Sequence, residues 1–164
     1  MKIIHLIRHA KSCWDNPILA DKLRPLNKRG HKDCQIMAKQ IVEAGCNFKS
    51  VFVSNATRAK LTIELIQENL PNLKFDWSIA RPLYTFDETQ LLNWCQALSE
   101  ELSEVVIVGH NPALTELINH LSRADLLNLP TCGYAKLHCS ITTWQELHTN
   151  CAQLKMLLTP KMFR

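Results

Sequence analysis

Two arginines and two histidines sit where the chain leaves short apolar runs. Ile3–Ile7 runs into Arg8-His9, Val51-Phe52-Val53 into Ser54-Asn55-Ala56-Thr57-Arg58, and Val105–Val108 into Gly109-His110-Asn111-Pro112. No carboxylate stands among these exits. Cations gathered without a counter-charge repel one another, so such a set calls for an anion. The planar fork of arginine matches phosphate oxygens in a bidentate way, and a neutral imidazole is a competent nucleophile toward phosphorus. The chain has no Walker loop, no G-x-G-x-x-G and no acidic triplet suited to Mg²⁺. The expected site therefore binds a phosphoryl group with the protein's own cations, and no metal or cofactor is expected.

The elements that must position these residues follow from periodicity. Ile3–Ile7 is short and β-branched, as a buried strand should be. Ala10–Lys28 is irregular, with Pro17 and Pro25 opposing a helix. Gly30–Ala44 carries Cys34, Met37, Ala38 and Ile41 at helical spacing, and Gly45 is placed to end that helix in a left-handed turn. Val51–Val53 reads as a second strand. Ser54-Asn55 reads as a cap region before a helix holding Ala59, Ile63, Ile66 and Leu70, which Pro71 stops. Leu73–Ile79 is a candidate third strand. Thr85 and Glu88 have capping-box spacing, with Leu91, Leu92, Cys95, Leu98 and Leu102 following on one helical face. Val105–Val108 is the clearest buried strand. After it, Asn111-Pro112 offers a cap residue and a helix-opening proline, and Leu114, Leu117, Ile118 and Leu121 make the next helix amphipathic. Beyond Pro130 the pattern turns strand-like at Tyr134–His138, Ile141–Trp144 and Gln153–Leu158.

Alternating strands and helices followed by a β-rich end predict a three-layer α/β/α sandwich around a mainly parallel central sheet, with antiparallel pairing in the C-terminal part. Parallel strands with right-handed crossovers place their C-terminal ends on one edge of the sheet, where ligands bind. Arg8, His9, Arg58 and His110 are thus predicted to meet on one rim, helped by the backbone N–H groups of helix N-termini.

Length and composition agree with one soluble enzyme or binding domain spanning 1–164. The chain has 164 residues, 46% hydrophobic and 21% charged, which excludes disorder and fibrous repeats. A net charge of +4 welcomes an anionic ligand but lacks the dense basic stripe of a nucleic-acid binder. The seven cysteines are an odd number without C-x-x-C spacing, so they read as reduced thiols in a cytoplasmic protein. No signal peptide or apolar run of membrane-spanning length is visible. A monomer without nucleic-acid or membrane partners is expected. His5 reads as a satisfied core histidine. His31, His120, His138 and His148 lack the spacing of a zinc site. Trp14 and Asp15 are placed either to line the pocket mouth or to pack.

The blocks Leu6-Ile7-Arg8-His9-Ala10-Lys11-Ser12, Asp21 with Arg24-Pro25-Leu26 and Gly30, Ser54–Ala59, and Gly109-His110-Asn111-Pro112 resemble the histidine phosphatase superfamily, which includes the phosphoglycerate mutases. They resemble its small phosphohistidine phosphatase (SixA-type) branch more than the mutases, in order and over almost the whole chain. Ala10 stands where the superfamily usually has Gly, and the acidic segment of the mutase branch has no match. The resemblance implies a phosphoglycerate-mutase-like fold and a catalytic set of His9 as nucleophile with Arg8, Arg58 and His110 holding the phosphate oxygens; Arg24 would reach the rim of the same pocket as a further substrate-binding residue. His9 must be neutral to attack, so its other ring nitrogen is expected to donate to a backbone carbonyl.

The missing acid favours phosphoramidates, because an alkoxide leaving group needs a positioned acid whereas imidazole leaves readily once protonated. Asp87 or Glu88 is a candidate proton donor, although a helix start gives both a simpler role. The implied activity is a metal-independent protein phosphohistidine phosphatase in signal transduction. The alternatives are a small-molecule phosphomonoesterase of the same superfamily and a non-catalytic phosphate-binding module.

Overall fold

The first apolar run gains one residue at each end to become strand β1, Lys2–Arg8. The computed structural model describes residues 1–164. After β1 come helix α1 (Lys28–Glu43), strand β2 (Val51–Val53), helix α2 (Thr57–Glu68), strand β3 (Trp77–Ile79), helix α3 (Glu88–Gln96), strand β4 (Glu104–Gly109), helix α4 (Ala113–Leu121) and strands β5 (Tyr134–Cys139) and β6 (Ala152–Leu158). One sheet takes all six strands in the order β3-β2-β4-β1-β5-β6. The first four are mutually parallel, and β5 and β6 pair antiparallel. The predicted mainly parallel sheet with an antiparallel C-terminal part is what forms.

Both faces of the sheet are covered, which explains the unbroken apolar runs of the central strands. Side chains alternate across a strand. Ile4, Leu6, Val105 and Ile107 enter one core with Leu91 and Cys95 of α3 and Leu114, Leu117 and Ile118 of α4. Ile7, Val106, Val108, Val51 and Val53 enter the other, against Met37, Ala38 and Ile41 of α1 and Ala59, Ile63 and Ile66 of α2. This is the three-layer α/β/α sandwich. Buried His5 is satisfied within it, with Nδ1 2.6 Å from the Tyr134 hydroxyl and Nε2 2.9 Å from Glu104. All seven cysteines are unpaired thiols. No helix is long and apolar enough to cross a membrane.

Local signals hold with some corrections. Asn27 caps α1 by accepting from the Gly30 N–H, so the helix starts at Lys28 rather than Gly30. Gly45, at φ +99°, makes the predicted left-handed exit. A Cβ on Gly30 would lie 2.4 Å from the Lys11 carbonyl oxygen, so the missing side chain lets α1 rest on the segment that follows His9. The cap of α2 is Ala56, although the Ser54 hydroxyl accepts from the Ala56 N–H.

The predicted third strand shrinks to Trp77–Ile79. Its approach, Leu73–Phe75, packs inward instead, with Phe75 stacked on Phe48 at 4.6 Å. Asp87, not Thr85, caps α3, and the helix ends at Gln96, short of Leu98 and Leu102. Pro112 is the N-cap of α4, while the Asn111 side chain accepts from the Thr115 N–H. Ile141–Trp144 is not a strand: it leads into a 3-10 turn at Trp144–Glu146, and Ile141 and Trp144 plug the α3/α4 core three positions apart.

Candidate active site

Strand order decides what meets. β4 lies between β2 and β1, with Arg8 in register with Gly109 and Val53 with Val108. Neighbouring strands are about 4.8 Å apart, so the residues just past the ends of β1, β4 and β2 converge. His9 follows β1, His110 follows β4, and Arg58 sits in the first turn of α2 just after β2. The His9 and His110 rings lie 5.2 Å apart between centroids. Between them Arg58 directs Nε–H toward His9 Nε2 (3.4 Å) and a terminal nitrogen toward His110 Nδ1 (3.4 Å). Arg8 enters from the β1 side. One of its terminal nitrogens donates to the Leu129 carbonyl oxygen (2.9 Å), and its buried Nε has no partner. All four predicted side chains are thereby brought together.

The tautomer of His9 is fixed by its neighbour. Nδ1 is 2.8 Å from the Ala10 carbonyl oxygen, which can only accept, so Nδ1 carries the proton and Nε2 offers a lone pair toward Arg58. The segment is held from below, where the Ala10 N–H donates to Thr62 Oγ1, and from the side, where the Cys132 N–H donates to the Arg8 and His9 carbonyls. His110 Nε2 is 2.7 Å from Ser54 Oγ, whose hydroxyl serves either tautomer.

Electrostatics keep both imidazoles neutral. Burial, followed by the charges of Arg58 and Arg8, depresses the pKa of His9 to about 3; its bond to Ala10 opposes the shift without cancelling it. Burial, then the neighbouring His9 and Arg58, depresses His110 to about 3. Burial and the Arg58 charge lower even Arg8. Cations crowded enough to depress one another are what an oxyanion would relieve.

A carboxylate does reach this site, contrary to the sequence expectation. The loop after β1 folds back so that Asp21, in a 3-10 turn at Asp21–Leu23, meets Arg58. Arg58 donates to the Asp21 backbone carbonyl (2.7 Å) and to its carboxylate (3.0 Å), while the Tyr84 hydroxyl donates to the same carboxylate oxygen (2.6 Å). Burial pushes the Asp21 pKa up, but the bonds from Tyr84 and Arg58 outweigh it and hold Asp21 below the usual carboxylate range. Burial and the Asp21 carboxylate raise Tyr84.

Asp21, Ser54 and Tyr84 are the residues that strand-exit reasoning missed. Ser54 stood at an exit but read only as a cap. Tyr84 follows β3, a fourth parallel strand on the same edge, and its exit carried the unused signal. Asp21 sits in an irregular loop, where no periodicity marks direction.

The remaining candidates have other partners. Arg24 is buried, donates to the carbonyls of Asn16 and Pro17, and stacks on Trp14 with its guanidinium 3.7 Å from the ring centre. It braces the loop bearing Asp21 and makes no hydrogen bond to the cluster. Asp87 accepts from the Thr89 N–H at the start of α3, and Glu88 lies 2.8 Å from His120. No group of three or more His, Cys, Asp or Glu side chains is arranged to hold a metal ion. A surface cavity lies elsewhere, between Asn47–Phe52 and Leu73–Ser78, at the N-terminal ends of β2 and β3. Charge, not volume, singles out the His9 site.

Residues 4–78 match the model of the histidine phosphatase superfamily (branch 1). An uncharacterized chloroplastic protein of Arabidopsis thaliana is 30% identical over 149 residues, which span 86% of this chain and 68% of that protein. Among solved structures, the protein histidine phosphatase SixA complexed with tungstate superposes with a TM-score of 0.80 at 21% identity, covering 99% of each chain. A mycobacterial glucosyl-3-phosphoglycerate phosphatase superposes with a TM-score of 0.69 at 12% identity, covering 95% of this chain and 98% of its own. The shared architecture is the phosphoglycerate-mutase-like fold.

Proposed function

Because the chain belongs to the histidine phosphatase superfamily, and phosphatase is the activity that its family, fold and site jointly support, we propose a finer reading: residues 1–164 act as one domain that removes the phosphoryl group from a protein phosphohistidine through a phospho-His9 intermediate, without a metal. The observation that carries it is the state of His9. Its proton is held on Nδ1 by the Ala10 carbonyl, its pKa is depressed to about 3, and its Nε2 lone pair opens toward Arg58.

The phosphoryl group takes the place between His9, Arg58 and His110, with Arg8 completing the cationic set. A bond forms between His9 Nε2 and phosphorus as the substrate's P–N bond breaks in line. The electron pair goes to the leaving imidazole nitrogen, which takes a proton from water. A water molecule then attacks phosphorus, the P–Nε2 bond breaks, and inorganic phosphate leaves with His9 neutral again. Arg8, Arg58 and His110 stabilise the charge that shifts onto the equatorial oxygens. Asp21 holds Arg58 from its outer side, and Arg24 holds the loop that carries Asp21.

Substrate choice follows from the carboxylates. Asp21 is engaged by Arg58 and Tyr84, Asp87 caps a helix and Glu88 faces His120, so none stands free to protonate an alkoxide. A phosphoramidate makes the smaller demand.

The test is turnover of a phosphohistidine peptide beside a sugar phosphate, with and without EDTA, in wild type and His9→Ala. Faster hydrolysis of the peptide, insensitive to chelator and lost in the variant, is expected. Faster hydrolysis of the sugar phosphate would make the chain a small-molecule phosphomonoesterase, and phosphate binding without turnover would make it a binding module.

A further inference from the structure

Two aromatic rings stand over the cluster, and the phosphoryl group itself has no use for them. The Tyr84 ring lies edge-on to His110 at 5.4 Å between centroids, and the Phe86 ring lies 5.5 Å from His110 at 59°. They meet each other edge-on at 5.6 Å. Phe86 is 46% exposed, so nearly half of a large apolar ring faces solvent beside an anion site. Its backbone is held on both sides. Thr85 is buried, with its hydroxyl bonded to Gln90, and Asp87 caps α3. The ring is therefore presented from a fixed position.

We propose that Tyr84 and Phe86 form a subsite for a flat nitrogen heterocycle leaving phosphorus, namely the imidazole of the substrate's phosphohistidine. This rests on the reading above and names what holds the leaving group. In-line transfer sends the leaving nitrogen away from His9 Nε2, toward a mouth walled on the His110 side by these two rings. Aromatic pairs prefer offset or edge-to-face contact at the separations already present between Tyr84, Phe86 and His110. The leaving ring takes one proton and departs as a neutral, flat imidazole, whose face and edge can meet both rings in that way. The contact orients the leaving ring for in-line departure, and positioning of a reacting group lowers its barrier. A sugar or an ammonia leaving group gains nothing comparable.

The test compares two P–N substrates that share the same phosphoenzyme: a phosphohistidine peptide and phosphoramidate, whose leaving group is ammonia. In Phe86→Ala the ratio of kcat/KM for phosphohistidine to that for phosphoramidate should fall about three- to tenfold, and Phe86→Trp should restore it. A partly unfolded preparation scales both rates alike and leaves the ratio readable. A ratio unmoved in Phe86→Ala, with wild type active on both compounds, overturns the subsite alone. Wild type that cleaves neither P–N compound overturns the reaction reading and the subsite with it.

Discussion

Acidification from pH 7.5 to pH 5 should remove about 2 kcal/mol of stability through each of the two clustered imidazoles. His9 and His110 are 7% and 1% exposed and have pKa values depressed to about 3, against 6.5 for an ordinary histidine. The unfolded chain binds more protons than the folded one between these values, so stability is fully present above about 6.5 and declines as pH falls toward 3. At pH 5 the loss per histidine is RT ln(1 + 10^1.5), about 2 kcal/mol, and any folded value below 4 gives nearly the same figure. The sum of about 4 kcal/mol is a large share of the ~5–15 kcal/mol that holds a domain together. Asp21 does not contribute in this window. Its depressed pKa confers stability that is lost only below the ordinary carboxylate value of 3.8.

Urea unfolding at both pH values, on wild type and His9→Asn, measures the effect. The asparagine keeps a donor for the Ala10 carbonyl but cannot take a proton, so its loss between the two pH values should be about 2 kcal/mol smaller. Buried His5 shifts in the same direction and adds equally to both proteins. An identical pH dependence in the two proteins would refute a buried, neutral His9.

Three further outcomes probe the same geometry. Arg58→Ala should slow turnover about 10²- to 10³-fold, as loss of one transition-state charge contact does; an unchanged kcat would place Arg58 outside the reaction. Asp21→Asn should move two quantities in opposite directions, tightening tungstate inhibition about threefold by removing a nearby negative charge and lowering kcat by a similar factor through a looser Arg58; parallel changes would contradict the placement of Asp21. Gly30→Ala, whose new methyl group would meet the Lys11 carbonyl, should cost ~1–3 kcal/mol in thermal unfolding, and an unchanged Tm would mean that α1 does not rest on that loop.

The chemistry was legible because it sits at the ends of buried strands. Ile3–Ile7, interrupted only by His5, and Val105–Val108 are apolar, so the two strands and their exits into His9 and His110 follow from composition, short of the observed strands by one residue at each end. Legibility fails where tertiary packing overrides local pattern. Ile141 and Trp144 look strand-like, yet their spacing serves to fill a core, with the Trp144 Nε1–H donating to the Leu102 carbonyl. Leu73–Phe75 is apolar for packing on Phe48, not for pairing. Asp21 reaches Arg58 across 37 positions through a loop whose path depends on Arg24 gripping the Asn16 and Pro17 carbonyls. Nothing local to Asp21 encodes that path. Arg24 itself shows the limit of reading by residue type: an arginine beside a cluster of arginines and histidines can be a brace.

The pairing of Arg8 with Gly109 and of Val53 with Val108 makes this protein unequally tolerant of inserted and deleted codons. Loss of a single residue within β1 would reverse the facing of every side chain beyond it, turning Ile7 out of its core and carrying His9 away from His110 in one step. Several residues added at Pro71-Asn72, exposed and outside any strand, would disturb neither. Length changes among natural variants should therefore gather in the connecting segments and stop abruptly at the strand borders.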